Sequence, residues 1–192
     1  MAIVVVGGSG RGVGKTALVC GLIAALPEFD WAAVKVASHS HGRNEPVWEE
    51  TTPGNATDTA RYLAAGARRA LLATAPLKDS PPEPDFSLLL HDLRAMLGWD
   101  ANILFESNRI LDYLQPGLCL MVRAGAEFAV EAKPSFSVAA HHAHAMVERA
   151  KTDRLLRGDP ASKPVFQLAN LELVSPEMQA WLLLKLASAP RP

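Results

Sequence analysis

The residues Gly7-Gly8-Ser9-Gly10-Arg11-Gly12-Val13-Gly14-Lys15-Thr16 carry the plainest chemistry in the chain. Five of its 13 glycines fall between Gly7 and Gly14, and the cluster ends in Gly-Lys-Thr. Glycines let a backbone curl until successive N–H groups point into one concavity, which suits a polyphosphate. A helix starting at the end of that curl adds partial positive charge at the same spot. In such a loop Lys15 reaches the β- and γ-phosphates and the Thr16 hydroxyl ligates Mg²⁺. The predicted nucleotide-binding set is therefore Gly10, Arg11, Gly12, Val13, Gly14, Lys15, Thr16 and Ala17. One departure from G-x-x-x-x-G-K-[ST] is visible: Ser9 stands at the first glycine, with Gly8 one residue earlier.

A phosphate loop needs a second acid to hold Mg²⁺ or its water, placed at the C-terminal end of a neighbouring parallel strand. Glu106 answers that description, closing the apolar run Ile103-Leu104-Phe105. With Lys15 it forms the catalytic pair, and with Thr16 the metal pair; the competing reading is a solvated loop acid. Asp30 precedes its strand and so lies at the wrong end, and Asp58 lies in a helix. Asp58 and Arg61 are spaced to share a helix face, either pairing with each other at the surface or pointing into one cleft.

These residues must be positioned by an alternation of short apolar runs and helical patterns. Ile3–Val6, Trp31–Val36, Ala70–Thr74, Ile103–Phe105, Leu118–Val122 and Val165–Leu168 read as strands. Helices are expected at Thr16–Leu26, about Thr57–Ala65, Phe86–Leu97, about Val138–Ala150 and Pro176–Ala187, with Pro27 and Gly66 as stops. The first of these is apolar nearly all round and should be covered on most sides. A polar stretch from Ser38 to Thr57 reads as one long loop, a lid or phosphate-sensing switch. Strands alternating with helices predict βαβ units: a three-layer α/β domain over residues 1–192 with a mainly parallel sheet.

Three segments together resemble the molybdopterin-guanine dinucleotide biosynthesis protein B family. They are the glycine loop, Lys35 with the Ser38-His39-Ser40-His41-Gly42 stretch, and Asp58-Thr59-Ala60-Arg61 leading to Ala65-Gly66-Ala67. The acid at Phe105-Glu106 fits the same pattern, although Ser107-Asn108 replaces the family's Gly-aromatic pair. The resemblance covers roughly residues 1–125. It implies a phosphate-loop NTPase that binds GTP and Mg²⁺, dimerises, and assists nucleotide attachment to the molybdenum cofactor. GTP over ATP rests on the resemblance alone, since no N/T-K-x-D element follows Leu118–Val122 and Asn170 is a lone candidate for base contact. Dimerisation draws faint further support from Trp48, expected exposed in the polar loop.

Other chemistries find less to stand on. His39 and His41 follow a strand on the ligand side and suit a phosphate or substrate; His141 and His144 would share a helix face at i, i+3. Either pair could hold Zn²⁺ with a third ligand, but no Cys set or H-E-x-x-H pattern accompanies them. Cys20 and Cys119 sit in apolar runs and read as free buried thiols in a reducing compartment. There is no G-x-S-x-G nucleophile pattern.

With 19 Lys+Arg against 20 Asp+Glu, the chain lacks the basic excess of a nucleic-acid binder. No apolar stretch approaches the ~20 residues of a membrane span, and the N-terminus lacks a charged leader, so cytoplasm is the expected location. The expectation for function is Mg²⁺-dependent binding and slow hydrolysis of GTP or ATP, with a homodimer and a protein partner. The alternatives are a small-molecule kinase or phosphate-activating ligase, with His39, His41, Asp58 and Arg61 orienting an acceptor, and a non-catalytic nucleotide-dependent interaction module.

Overall fold

A computed structural model describes residues 1–37, 45–75, 85–98, 100–123, 134–156 and 163–188. Its centre is a nine-stranded sheet in the order β3-β4-β2-β5-β1-β6-β7-β9-β8. The strands are β1 (Ile3–Gly8), β2 (Ala32–Ala37), β3 (Val47–Glu50), β4 (Arg69–Thr74), β5 (Ile103–Glu106), β6 (Leu118–Arg123), β7 (Ala145–Arg149), β8 (Arg154–Leu156) and β9 (Val165–Leu168). All neighbours pair in parallel except the two edges, where β3 runs antiparallel to β4 and β8 antiparallel to β9.

The helices are α1 (Lys15–Ala25), α2 (Asp58–Ala64), α3 (Phe86–Leu97), α4 (Pro134–His142) and α5 (Pro176–Ser188). Strand alternation sends Val4, Val6 and Leu104 to one face, where they pack with Leu18 and Leu22 of α1, Tyr62 of α2 and Leu182 of α5. Ile3, Val5 and Phe105 go to the other, against Phe86 and Leu93 of α3 and Ala139 of α4. Helices thus cover both faces, giving the predicted three layers. Leu18 to Ile23 of α1 are buried without a break, in keeping with its apolar circumference.

Three expectations are corrected. The polar stretch between Ser38 and Thr57 is not one loop: Val47–Glu50 forms β3, held at the edge by a two-point pairing of Glu49 with the Arg69 guanidinium at 2.7 Å. Trp48 accordingly lies in a strand, partly buried, not exposed in a loop. The helix expected through Ala150 stops at His142, and Ala145–Arg149 becomes β7. Its Ala, Met, Glu and Arg favour helix in isolation, but Ala145 and Val147 are completely buried between β6 and β9, and that pairing overrides the local preference.

Candidate active site

The turn from β1 into α1 is tight at its two ends, Gly7 and Gly14, and open at Gly10 and Gly12. A Cβ on Gly7 would lie 2.4 Å from Met121 Sδ and 2.7 Å from Asn108 Oδ1. That crowding exists because the Asn108 amide grips the Gly8 backbone on both sides, accepting from its N–H at 2.7 Å and donating to its carbonyl at 2.9 Å. Asn108 is thus the residue that aims the loop, and its departure from the family pattern has a local structural use. Ser9 N–H ties the other strand in through the Val122 carbonyl at 2.8 Å. Gly14 has φ +102°, and a Cβ there would meet Leu171 at 2.3 Å, so neither backbone nor space allows a larger residue.

Gly14 also starts α1 with no capping side chain, and no acidic residue stands in its first turn. The helices α2 and α3 differ: the Thr57 hydroxyl accepts from Ala60 N–H, and the Asp85 carboxylate from Leu88 N–H. The N-terminal amides of α1 therefore face the glycine curl without a side-chain acceptor of that kind, the arrangement that suits an anion. Lys15 arches back over the loop, its ammonium donating to the Gly10 carbonyl at 2.7 Å. Arg11 and Gly12 are exposed, and Val13, Thr16 and Ala17 partly buried, around the same turn.

Glu106 stands beside this loop because β5 pairs directly with β1, setting Val6 opposite Glu106. It is 2% exposed. A buried carboxylate needs partners, and Glu106 has three, from three elements. The Thr16 hydroxyl of α1 donates to Oε2 at 2.8 Å, the Tyr62 phenol of α2 donates to the same oxygen, and the Lys35 ammonium of β2 donates to Oε1. Lys35 is opposite Glu106 in register on the adjacent strand, and its ammonium also lies 3.0 Å from Asp58 Oδ2.

The electrostatics follow from that packing. Burial alone would lower the Lys35 pKa, but the charge and hydrogen bond of Glu106, with those of Asp58, hold it above the ordinary lysine value. Burial would raise Asp58, yet hydrogen bonding from Lys35, its charge and the Thr16 hydroxyl keep it below the usual carboxylate range. The Tyr62 phenol is pushed well up by burial and by the adjacent Glu106, so it stays protonated and keeps donating.

Tyr62 escapes a reading of the sequence because it looks like one more apolar residue on a helix. The usable signal was its spacing: Asp58 and Tyr62 are one turn apart on α2, hence on one face. Gly66, at φ +104°, ends that helix as expected, with Ala67 N–H reaching the Tyr62 carbonyl and Gly66 N–H the Leu63 carbonyl, both at 3.0 Å.

The remaining predicted residues are dispersed. His39 and His41 lie outside the described residues. Arg61 does not pair with Asp58; its guanidinium goes to Glu172 at 2.6 Å, on the turn after β9. Asn170 closes that turn by accepting Glu172 N–H at 2.9 Å. His141 remains on α4, exposed, with Nδ1 2.8 Å from the Ser137 carbonyl. His144 falls past the helix, where its Nδ1 accepts Cys119 N–H at 3.0 Å, so the two share no helix face. Among the described residues no group of three or more His, Cys, Asp or Glu could hold a metal ion. Asp30 sits at the opposite end of the sheet, paired with Arg68 at 3.3 Å. Cys20 and Cys119 are free and buried, and burial raises them to about 11 and about 12, far from a reactive thiolate.

No protein-family model and no curated protein matches the sequence. Among solved structures, the "apo" form of LpxK from Aquifex aeolicus in complex with ATP aligns at TM-score 0.52 and 14% identity, over 87% of this chain and 53% of that one. The chain thus spans about half the length of that protein. A MobB protein homolog from Bacillus stearothermophilus aligns at TM-score 0.47 and 20% identity, over 98% of this chain and 99% of that one. The likeness is one of fold: a mainly parallel sheet with helices on both faces, on which this chain places its glycine loop between β1 and α1.

Proposed function

We propose that this chain binds a nucleoside triphosphate as its Mg²⁺ complex on residues 10–17, hydrolyses it slowly, and serves as an accessory factor in molybdenum cofactor assembly. The observation that carries the nucleotide reading is the buried Glu106 carboxylate joined to the Thr16 hydroxyl at 2.8 Å, beside an α1 N-terminus that no side chain caps. The loop amides and α1 would receive the β- and γ-phosphates, and Lys15, leaving the Gly10 carbonyl, would neutralise them. Thr16 and Glu106 would hold Mg²⁺; hydroxyl and carboxylate oxygens are the hard donors it takes, and Thr16 keeps its lone pairs while donating to Glu106. A metal held by Thr16 and Glu106 would supply positive charge to offset what develops on the phosphates during transfer. Tyr62 holds the Glu106 carboxylate in place from the α2 side.

The choice of GTP, the homodimer, a protein partner and the cofactor pathway rest on the sequence resemblance; a cytoplasmic location is a further part of the proposal. Among the described residues no helix is long and apolar enough to cross a membrane. A single nucleotide-binding unit over residues 1–192 is part of the proposal, supported by one continuous sheet.

A kinase or phosphate-activating ligase is the second reading, favoured by Asp58. Its carboxylate is 41% exposed yet lies at the Lys35–Glu106 pair, where it could receive a proton from an acceptor hydroxyl. Titration with fluorescent GTP and ATP analogues, with and without Mg²⁺, tests binding, and phosphate release tests hydrolysis. Lys15→Ala is expected to weaken binding about 10- to 100-fold, the usual cost of one charge-assisted contact. Unchanged binding in that variant sinks the phosphate-loop reading. Turnover that rises only with one added metabolite favours the kinase.

A further inference from the structure

We infer that Lys35 is a tethered cation that keeps divalent metal off the Glu106–Asp58 pair until a nucleotide brings its own charge, so that metal and nucleotide bind together. The inference rests on the proposed role of Glu106 and Thr16 in holding metal.

The geometry sets out a competition. Glu106 offers two oxygens; Thr16 and Tyr62 share Oε2, and the Lys35 ammonium takes Oε1. The same ammonium lies 3.0 Å from Asp58, the second carboxylate at this mouth. Two carboxylates and one hydroxyl are a donor set for a hard divalent ion, and here an ammonium stands between the carboxylates. Two cations on the same few oxygens repel strongly where water is scarce.

Lys35 cannot leave this place by a small drift of backbone. It is locked in the middle of the sheet, paired with Glu106 on one side and Leu72 on the other. Its flexible stem is what can move. With Lys35 present the two carboxylates carry one net negative charge, too little to hold a dehydrated divalent ion. A polyphosphate beside Thr16 changes the balance, since it attracts the ammonium and adds oxygens for the metal. By linkage, whatever the nucleotide adds to metal affinity the metal must add to nucleotide affinity.

The test uses the full chain without nucleotide and Mn²⁺ alone, with free Mn²⁺ read by electron paramagnetic resonance. Wild-type protein is expected to bind Mn²⁺ weakly, and Lys35→Met about tenfold or more tightly, within the usual range of coupling between sites. Lys35→Arg, which keeps the charge, is expected to remain weak. Adding Glu106→Gln to Lys35→Met should remove the gain. Should Lys35→Met fail to fold by circular dichroism, Lys35→Gln carries the same expectation with a donor retained. A folded neutral variant that binds Mn²⁺ no better than wild type overturns the inference, as does a gain that survives Glu106→Gln. Nucleotide titrations of the wild type are read separately: a protein that binds no nucleotide but gains Mn²⁺ on losing Lys35 ends the NTPase proposal and overturns the coupling to nucleotide, leaving only the opposition of Lys35 to metal.

Discussion

The two halves of the sheet meet at β1, and each buries a glutamate near the C-terminal ends of its strands. In the β5-β2-β4 half, Glu106 takes hydrogen bonds from Thr16, Lys35 and Tyr62, which lie 90, 71 and 44 residues away in sequence. In the β6-β7-β9 half, Glu148 accepts from Arg123 and, at 3.1 Å, from Gln167. Those partners are simply its register neighbours on adjacent strands. By strand alternation the two glutamates also face opposite sides: Glu106 looks toward α1 and α2, Glu148 away from them. A cross-strand ladder is what any sheet builds to satisfy a polar residue, each pair contributing about 0.2–1 kcal/mol. Convergence from a strand and two helices beside an uncapped helix start has no such ordinary explanation. Burial of an acid is common to both halves; the origin of its partners separates them.

Substituting the two glutamates is the strongest way to break that comparison. Glu106→Gln leaves the Lys35 ammonium half-buried against Asp58 alone and disturbs three elements at once. A loss of about 2–4 kcal/mol of stability is expected, together with loss of Mg²⁺-dependent nucleotide binding. Glu148→Gln removes one ladder charge and should cost about 1 kcal/mol or less, with nucleotide binding unchanged. Chemical denaturation and nucleotide titration of both variants decide the matter. Equal effects on binding would mean that the two halves are not functionally distinct.

A second substitution sharpens the boundary between the halves, because the turn after β9 reaches back to the glycine loop through Leu171. Gly14→Ala is expected to cost about 1–3 kcal/mol, the usual price of a strained left-handed residue, with a further clash against Leu171. Leu171→Ala opens a cavity of its own in the core, so the two are read as a double-mutant cycle by melting: with the clash removed but not the backbone strain, Gly14→Ala should cost less in the Leu171→Ala background than in the wild type. A cost that vanishes there would mean that φ at Gly14 is not strained; an unchanged cost would mean that Leu171 does not press on the loop.

Legibility in the sequence follows the same division. The position of the glycine loop, the start of α1 and the placement of Glu106 at the end of β5 could be read because each depends on local signals: glycines that must curl, a lysine and threonine at fixed offsets, an acid closing an apolar run. Gly66 as the stop of α2 is equally local and recurs in the structure. Tyr62 and Lys35 depend on which strand lies beside which, and that β5 inserts between β2 and β1 is not written in any short window. The strand β7 was hidden for a related reason. Its residues favour helix, and only burial between two other strands, distant in sequence, selects the extended form. The edge strand β3 was hidden by polarity, since its Glu49 satisfies Arg69 and looks like loop composition.

Acid should separate the halves by pH, with the smallest effects and opposite controls. Burial holds the His144 ring below the ordinary histidine pKa, helped by the nearby charges of Lys185 and Lys163, and its neutral Nδ1 accepts Cys119 N–H. The unfolded chain takes up a proton near pH ~6.5 while the folded one resists. The stability His144 supplies is therefore complete above pH ~6.5 and is lost as pH falls from there toward the folded value. Asp58 behaves alike but lower: burial works against its charge, the Lys35 contacts outweigh burial, and its folded pKa lies below the unfolded ~3.9. Its contribution is complete above pH ~4 and fades only as pH drops beneath it. Between pH 7 and 5, the protection factor of the Cys119 amide in β6, taken against the intrinsic rate at each pH, should fall while those in β2 and β5 hold; below pH 4 the β2 side should follow. His144→Gln should abolish the first step and Asp58→Asn the second. Loosening of both halves together near pH 6 would show that the Lys35 network and the β6 side open as one unit, which the separate contacts of His144 and Asp58 argue against.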